Sequence, residues 1–267
     1  MIRLALLGAT GRMGTRVLEL LKADERFALV AALTSGGDAR LGEAVVAGTQ
    51  TVTIADRCDA AFDVLVDFSV PAGTMQWLDR CVERRAAMVI GATGYTAEQM
   101  ARIDRAAERI AILQSSNFSV GVALLRSLVK ETTRTIGAKS DIEIIEHHHN
   151  QKVDAPSGTA NTLTEDIGET LGRDVERDVV HGRTGDVGPR PQGQIGVHSV
   201  RMGSIVGRHE VHFATVDETI TLIHSAHSRD VFARGALDAA AWIAGRGPGR
   251  YTMDDMLSAR ASPRARE

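Results

Sequence analysis

Between residues 143 and 160 the chain reads EIIEHHHNQKVDAPSGTA. His147, His148, His149 and Lys152 share this stretch with the carboxylates Glu143, Glu146 and Asp154. Pro156 and Ser157 are residue types that open helices. Gly158 and Thr159 follow where first-turn N–H groups have no intrahelical acceptor. Such N–H groups, at the positive end of the helix dipole, make a site for an anion. An imidazole titrates near neutrality, and a nearby ammonium adds positive charge. The combination fits an enzyme that holds a carboxylate substrate and gives it a proton.

A metal centre and a solvated loop are the competing readings of these residues. Ligands drawn from one strand alternate, whereas the three histidines are consecutive; Cys58 and Cys81 lie far off without ligand spacing. No metal is therefore expected. A polar loop accounts for the charges but not for His, Lys and a Pro-Ser-Gly-Thr helix entry falling together.

The elements that must position this chemistry begin at the N-terminus. Ile2 to Leu7 is a nearly continuous apolar run, the pattern of a buried parallel strand. It breaks into Gly8-Ala9-Thr10-Gly11-Arg12-Met13-Gly14, after which Val17, Leu18, Leu20 and Leu21 give one apolar helix face. In this strand–turn–helix context Gly8 permits the tight turn, Gly11 lets backbone approach a pyrophosphate, and Gly14 allows close helix–strand packing. Arg12 is expected near the phosphates or a 2′-phosphate. The second strand, Phe27 to Leu33, ends in Thr34-Ser35-Gly36-Gly37, with neither an acid for a ribose 2′-hydroxyl nor a base for a 2′-phosphate. Asp38 and Arg40 lie a few residues on, so both NADH and NADPH remain open.

Alternation continues with strands over 64–69, 87–90 and 110–114, and helices over 71–85 and 97–109. Pro71 starts the first helix, and Thr96-Ala97-Glu98-Gln99 resembles a capping box for the second. The first ~115 residues thus read as a Rossmann-type, doubly wound parallel sheet, an α/β fold. Ligands bind beyond the carboxyl ends of such strands. This places Ser69, Gly91, Ala92, Thr93, Ser116, Asn117 and Phe118 around the nicotinamide half of a dinucleotide.

The pattern then changes. A helix over 120–134 precedes strand-like stretches at 141–145, 197–202, 204–213 and 218–224, with one helix over 157–171 and a Gly/Pro-rich loop over 183–193 expected to be mobile. This reads as a second, α+β domain with an open mixed sheet. A helix over 229–243 returns to the first domain, giving 1–118 plus 229–267 for the dinucleotide and 119–228 for substrate and oligomerisation. Residues 259–267 read as a polar, frayed tail.

Composition narrows the class. A net charge of −3 and 4% aromatic residues leave no footprint for nucleic acid. No apolar run approaches a membrane span, and two distant cysteines suit a reducing cytoplasm.

Nearly end to end, the chain resembles the 4-hydroxy-tetrahydrodipicolinate reductase (dihydrodipicolinate reductase) family. The resemblance is carried by the Gly-x-x-Gly-Arg-Met-Gly turn, Gly91-Ala92-Thr93-Gly94, residues 116–121, the 143–160 block and His224-Ser225-Ala226-His227-Ser228-Arg229. It implies hydride transfer from NADH or NADPH to a cyclic imine dicarboxylate with loss of water, in the diaminopimelate route to lysine. His148 would be the proton donor and Lys152 its cationic partner. His149, Ser157, Gly158 and Thr159 would bind substrate. Arg229 and Thr34 would join the cofactor residues, and the assembly would be a homotetramer built through the second domain's sheet. The chain departs from the family at Thr34 and Ser35, where many members carry an acid and an arginine, at Ala92, where a threonine is common, and at Asn150 and Gln151. A related two-domain dehydrogenase, such as aspartate dehydrogenase, leaves the 143–160 block without a reason. A non-catalytic NAD(P)-binding sensor needs no proton donor.

Overall fold

A computed structural model describes residues 1–48 and 50–261. In chain order the elements are β1 (Ile2–Leu7), α1 (Arg12–Leu21), β2 (Phe27–Leu33), β3 (Ala44–Ala47), β4 (Gln50–Ala55), β5 (Val64–Asp67), α2 (Pro71–Arg84), β6 (Ala87–Ile90), α3 (Ala97–Ala107) and β7 (Ala111–Gln114). Then come α4 (Val120–Ile136), β8 (Asp141–His148), α5 (Gly158–Leu171), α6 (Val175–Asp178), β9 (Val179–His181), β10 (Ile195–Arg201), β11 (Gly207–Ala214) and β12 (Thr219–Ala226). The chain closes with α7 (Asp230–Ile243), β13 (Gly249–Tyr251) and α8 (Met253–Ala261). Two compact units result, Met1–Val120 with Asp230–Glu267, and Gly121–Arg229. Arg229 thus falls in the second unit, one residue before α7, and Ser119 and Val120 in the first.

The first unit's sheet has the strand order β13-β7-β6-β5-β1-β2-β4-β3. Every neighbouring pair is parallel except the β3–β4 hairpin. The continuous apolar runs of β1, β5 and β6 lie buried, as helices on both faces require. Pro71 stands at the first turn of α2, and Thr96 with Gln99 forms the capping box that starts α3. The β3–β4 hairpin has no counterpart in the sequence reading. Its strands are short and half exposed, so no run of apolar residues marks it.

The second unit's five-stranded sheet runs β12-β11-β8-β10-β9, mixed parallel and antiparallel. Ile142, Ile144, Val197, Val211 and Phe213 point inward and pack with Leu125 and Val129 of α4 and Leu163 and Ile167 of α5. Strand β8 continues to His148, three residues beyond the expected end, because its inward face carries Glu146 and His148 where an apolar residue would have extended the pattern. The loop over 183–193, expected to be mobile, is tied down. Arg183 and Arg190 bond the Glu143 carboxylate at 2.9 and 3.1 Å, and Arg190 also bonds Asp141. Residues 259–261 close α8 rather than fray; the rest of that expected tail, 262–267, lies outside the described residues.

Candidate active site

On β8 successive side chains alternate between the faces of the sheet, so Glu146 and His148 share the inward face with Ile142 and Ile144. Glu146 is fully buried and His148 is 9% exposed. A buried carboxylate must be paired. Arg201, on β10, supplies the pair with two parallel bonds to Glu146, of 2.8 and 2.9 Å. The Ser157 N–H donates to the same carboxylate at 3.2 Å, and His148 Nδ1 lies 2.5 Å from Glu146 Oε2. Burial pushes the Glu146 carboxyl up, but the Arg201, Ser199 and His148 bonds outweigh it and hold it at about 2. Glu146 is therefore an ionised acceptor, which makes Nδ1 the donor and leaves Nε2 as the nitrogen that gains a proton when the ring charges and can then release it. Gly207 faces that nitrogen; a Cβ there would stand 3.1 Å from Nε2.

The remaining expected residues of this unit divide. Lys152 Nζ is 2.8 Å from each oxygen of the exposed Asp154 carboxylate, and its charge bears on His148. His149 Nε2 lies 3.2 Å from Arg229 Nη2. Arginine only donates, so His149 accepts through Nε2. Arg229, expected beside the cofactor, is joined to His149 of its own unit, the residue expected to bind substrate. Ser157, expected to touch substrate, is 2% exposed and its groups are engaged. Its Oγ accepts from Ala160 N as the α5 N-cap and meets His209 Nε2 at 3.0 Å, while its N–H serves Glu146. A Ser at an N-cap is drawn inward by the bond it makes to the first turn. Gly158 is exposed, with open space where a Cβ would stand, and Thr159 follows it in the first turn of α5. These two residues carry what the helix start offers an anion.

Burial first, with the Lys152 and Arg201 charges, lowers the His148 pKa against the raising effect of Glu146. His209, edge-on to His148 with ring centroids 5.3 Å apart, is pushed from 6.5 to about 3 by burial and by His148. The fold thus favours neutral His209. Its contribution to stability is full above pH 6.5 and is lost as pH falls toward 3. Glu146 and Glu143, each held at about 2, act with the same sign from about pH 4.5 downward. The second unit should therefore melt at falling temperature as pH drops from 7 to 4. His209→Gln should shrink the loss between pH 6.5 and 5. A melting temperature that is flat over pH 7 to 5 in the natural chain would contradict this.

In the first unit Gly8 has φ +81°, and a Cβ there would lie 2.7 Å from the Phe68 backbone. A Cβ at Gly14 would collide with the Gly8 carbonyl, so α1 seats against β1 only with glycine there. Gly14→Ala should cost about 1–3 kcal/mol of first-unit stability by overpacking and weaken dinucleotide binding. Unchanged melting and binding would contradict it. No side chain caps α1, and no acid occupies its first turn. Its first N–H groups, with exposed Arg12 and half-buried Met13, are suited to a pyrophosphate. Thr10 and Thr34 lie 2.9 Å apart, at the ends of the glycine turn and β2. Phe68 and Phe118 meet edge to face at 5.8 Å, and a Cβ at Gly91 would strike the Phe68 ring. Glycine there leaves a cradle against an aromatic wall, and these residues fit a dinucleotide.

Other expected residues of this unit are turned away. The Ala92 methyl is buried in the core, so only its backbone can face a ligand. The Ser69 hydroxyl donates to Asp67 at 2.6 Å. Asn117 shapes the turn after β7 by accepting from Ser119 N. Ser116 and Thr93 stay exposed. Asp67, Arg201 and His209 are not singled out in the sequence, and Glu146 is noted there without a role. A polar residue interrupting an inward-facing strand pattern was the available signal for Asp67, Glu146 and His209.

Residues 2–118 match the family model for the N-terminus of dihydrodipicolinate reductase, and residues 121–257 match the one for its C-terminus. The chain belongs to the dihydrodipicolinate reductase family. Among curated family members, the 4-hydroxy-tetrahydrodipicolinate reductase of Thiobacillus denitrificans is 44% identical, covering 96% of this chain and 98% of its own. That of Syntrophotalea carbinolica is 42% identical, covering 96% and 99%. A solved structure of dipicolinate-bound dihydrodipicolinate reductase from Paenisporosarcina sp. TG-14 shares the fold, with a TM-score of 0.75, 24% identity and coverage of 94% of this chain and 97% of that one. Among the described residues no group of His, Cys, Asp and Glu side chains is placed to hold a metal ion, and no helix is long and apolar enough to cross a membrane.

Proposed function

We propose that this chain reduces 4-hydroxy-tetrahydrodipicolinate to tetrahydrodipicolinate with loss of water, using NADH or NADPH, in the diaminopimelate route of lysine biosynthesis. The observation that carries this reading is His148 bonded through Nδ1 to the buried Glu146–Arg201 pair, inside a chain that matches the reductase family in both halves. A bound reduced nicotinamide supplies the hydride. The first unit's part is to bind and orient the dinucleotide: Gly8, Thr10, Gly11, Arg12, Met13 and Gly14 at the phosphates, Thr34 at the ribose, and Ser69, Gly91, Ala92, Thr93, Ser116, Asn117 and Phe118 at the nicotinamide end.

The second unit supplies anion binding and the proton. Gly158 and Thr159 at the start of α5 hold a substrate carboxylate by N–H groups and the helix dipole. His149, with Arg229 behind it, binds the dianion's other charge. His148 gives a proton from Nε2 as negative charge builds on the substrate ring. Lys152 stabilises that charge. Glu146 keeps the imidazole in one tautomer and stabilises the imidazolium before transfer, and Ser157 locks the helix start to Glu146. The homotetramer we propose forms through the outer face of the second sheet, where Ile223 is 50% exposed. We place the enzyme in the cytoplasm. Expression in a bacterial strain lacking its own reductase, and so dependent on added diaminopimelate, is expected to restore growth without the supplement. No growth despite soluble expression would overturn the proposed function.

A further inference from the structure

The loop after β2 holds Asp38, a carboxylate whose place the sequence spacing leaves open. Asp38 lies five residues past the end of β2, yet its Oδ2 accepts from both Thr10 at 2.6 Å and Thr34 at 2.7 Å. Its Oδ1 accepts from Arg40 N at 2.9 Å. The loop itself is fixed by β4: Thr34 N bonds Ala55 O, Gly42 N bonds Ile54 O, and Ile54 N bonds Glu43 O. The missed hairpin therefore folds Asp38 back onto the position where nucleotide-binding folds carry their ribose-reading acid.

Carboxylates gather around this point beside one arginine, Arg40. The Thr10 hydroxyl, the Arg40 N–H and the Thr34 hydroxyl hold the Asp38 carboxyl below the usual carboxylate range, and the Arg40 charge also lowers it. Asp56 brings a second carboxylate to the loop, its Oδ2 3.2 Å from where a Gly36 Cβ would stand. Arg40, the loop's own base, is paired with Glu43 at 2.8 Å. A carboxylate oxygen has about two acceptor sites. Oδ2 has both filled by the threonines, while Oδ1 has one left for a ligand hydroxyl.

We propose that Asp38, seated on Thr10 and Thr34, reads the adenosine ribose and makes this enzyme prefer NADH. It accepts from the 2′-hydroxyl and repels a 2′-phosphate. The inference rests on the dinucleotide-binding role given above to the glycine turn.

Dissociation constants for NADH and NADPH, measured by nicotinamide fluorescence at fixed moderate salt, test it without turnover. The natural chain should bind NADH about tenfold or more tightly than NADPH. Asp38→Asn, close in shape, should reduce that ratio by about tenfold, mainly by tightening NADPH. Thr34→Val, which removes one seat but keeps the charge, should loosen NADH with a smaller gain for NADPH. Equal affinities in the natural chain, an NADPH preference supplied through Arg12, or an Asp38→Asn ratio like the natural one would each overturn the assignment to Asp38. Those results would leave the dinucleotide site standing. Failure of the folded natural chain to bind either cofactor would overturn the dinucleotide role and this inference together.

Discussion

Replacing His148 with Gln is expected to lower kcat by about 10²–10⁴-fold, the range for loss of a positioned general acid. The dissociation constants of NADH and NADPH should hardly change, because His148 belongs to the second unit and the glycine turn to the first. The reason lies in the tautomer. Glu146, ionised and paired with Arg201, accepts a hydrogen bond from Nδ1–H and leaves Nε2 to serve the substrate. Gln can bond Glu146 through its amide but cannot release a proton near neutrality, so geometry is spared while the acid is lost. Because burial lowers the His148 pKa, kcat/KM should fall as pH rises through a value below that of an ordinary histidine. Lys152→Ala should lower kcat by removing the charge that steadies the ring. Near-normal turnover in His148→Gln would remove His148 from the mechanism.

The second large effect is structural. Arg201→Leu leaves the fully buried Glu146 carboxylate without its bidentate partner, and breaking such a pair from one side costs about 3–5 kcal/mol. Denaturant unfolding of the second unit should show that loss. The double variant Glu146→Gln with Arg201→Leu should recover part of it, since no uncompensated charge then remains. A loss below about 1 kcal/mol in Arg201→Leu, or no recovery in the double variant, would contradict the account of this pair.

Much of this architecture is written locally. The run Ile2 to Leu7, the Gly8–Gly11–Gly14 spacing and the Thr96/Gln99 box each lie within one or two turns of chain, so their geometry follows from adjacent residues. The helix start at Ser157 was legible for the same reason. What escaped depends on contacts between distant residues. Arg201 lies 55 residues from Glu146, and nothing near Arg201 marks it as the partner of a buried acid. Asp38 stands four residues past Thr34, and only the pairing of β2 with β4 shows that the chain doubles back there. Ser157 fits both an N-cap and an anion ligand by its type, and in the structure it caps α5. Its N–H is bonded to the buried Glu146, a contact the sequence does not show. Arg229 is expected beside the cofactor from its place in the chain, and its bond to His149, 80 residues away, is not visible in the sequence.

The most direct test of the central claim is to supply purified protein with aspartate semialdehyde, pyruvate and the preceding synthase, and to follow the absorbance of NADH and of NADPH in separate reactions. The account predicts oxidation that depends on the synthase and runs faster with NADH. Tight binding of both cofactors with no synthase-dependent oxidation would contradict it, and would return the chain to the dehydrogenase or sensor readings.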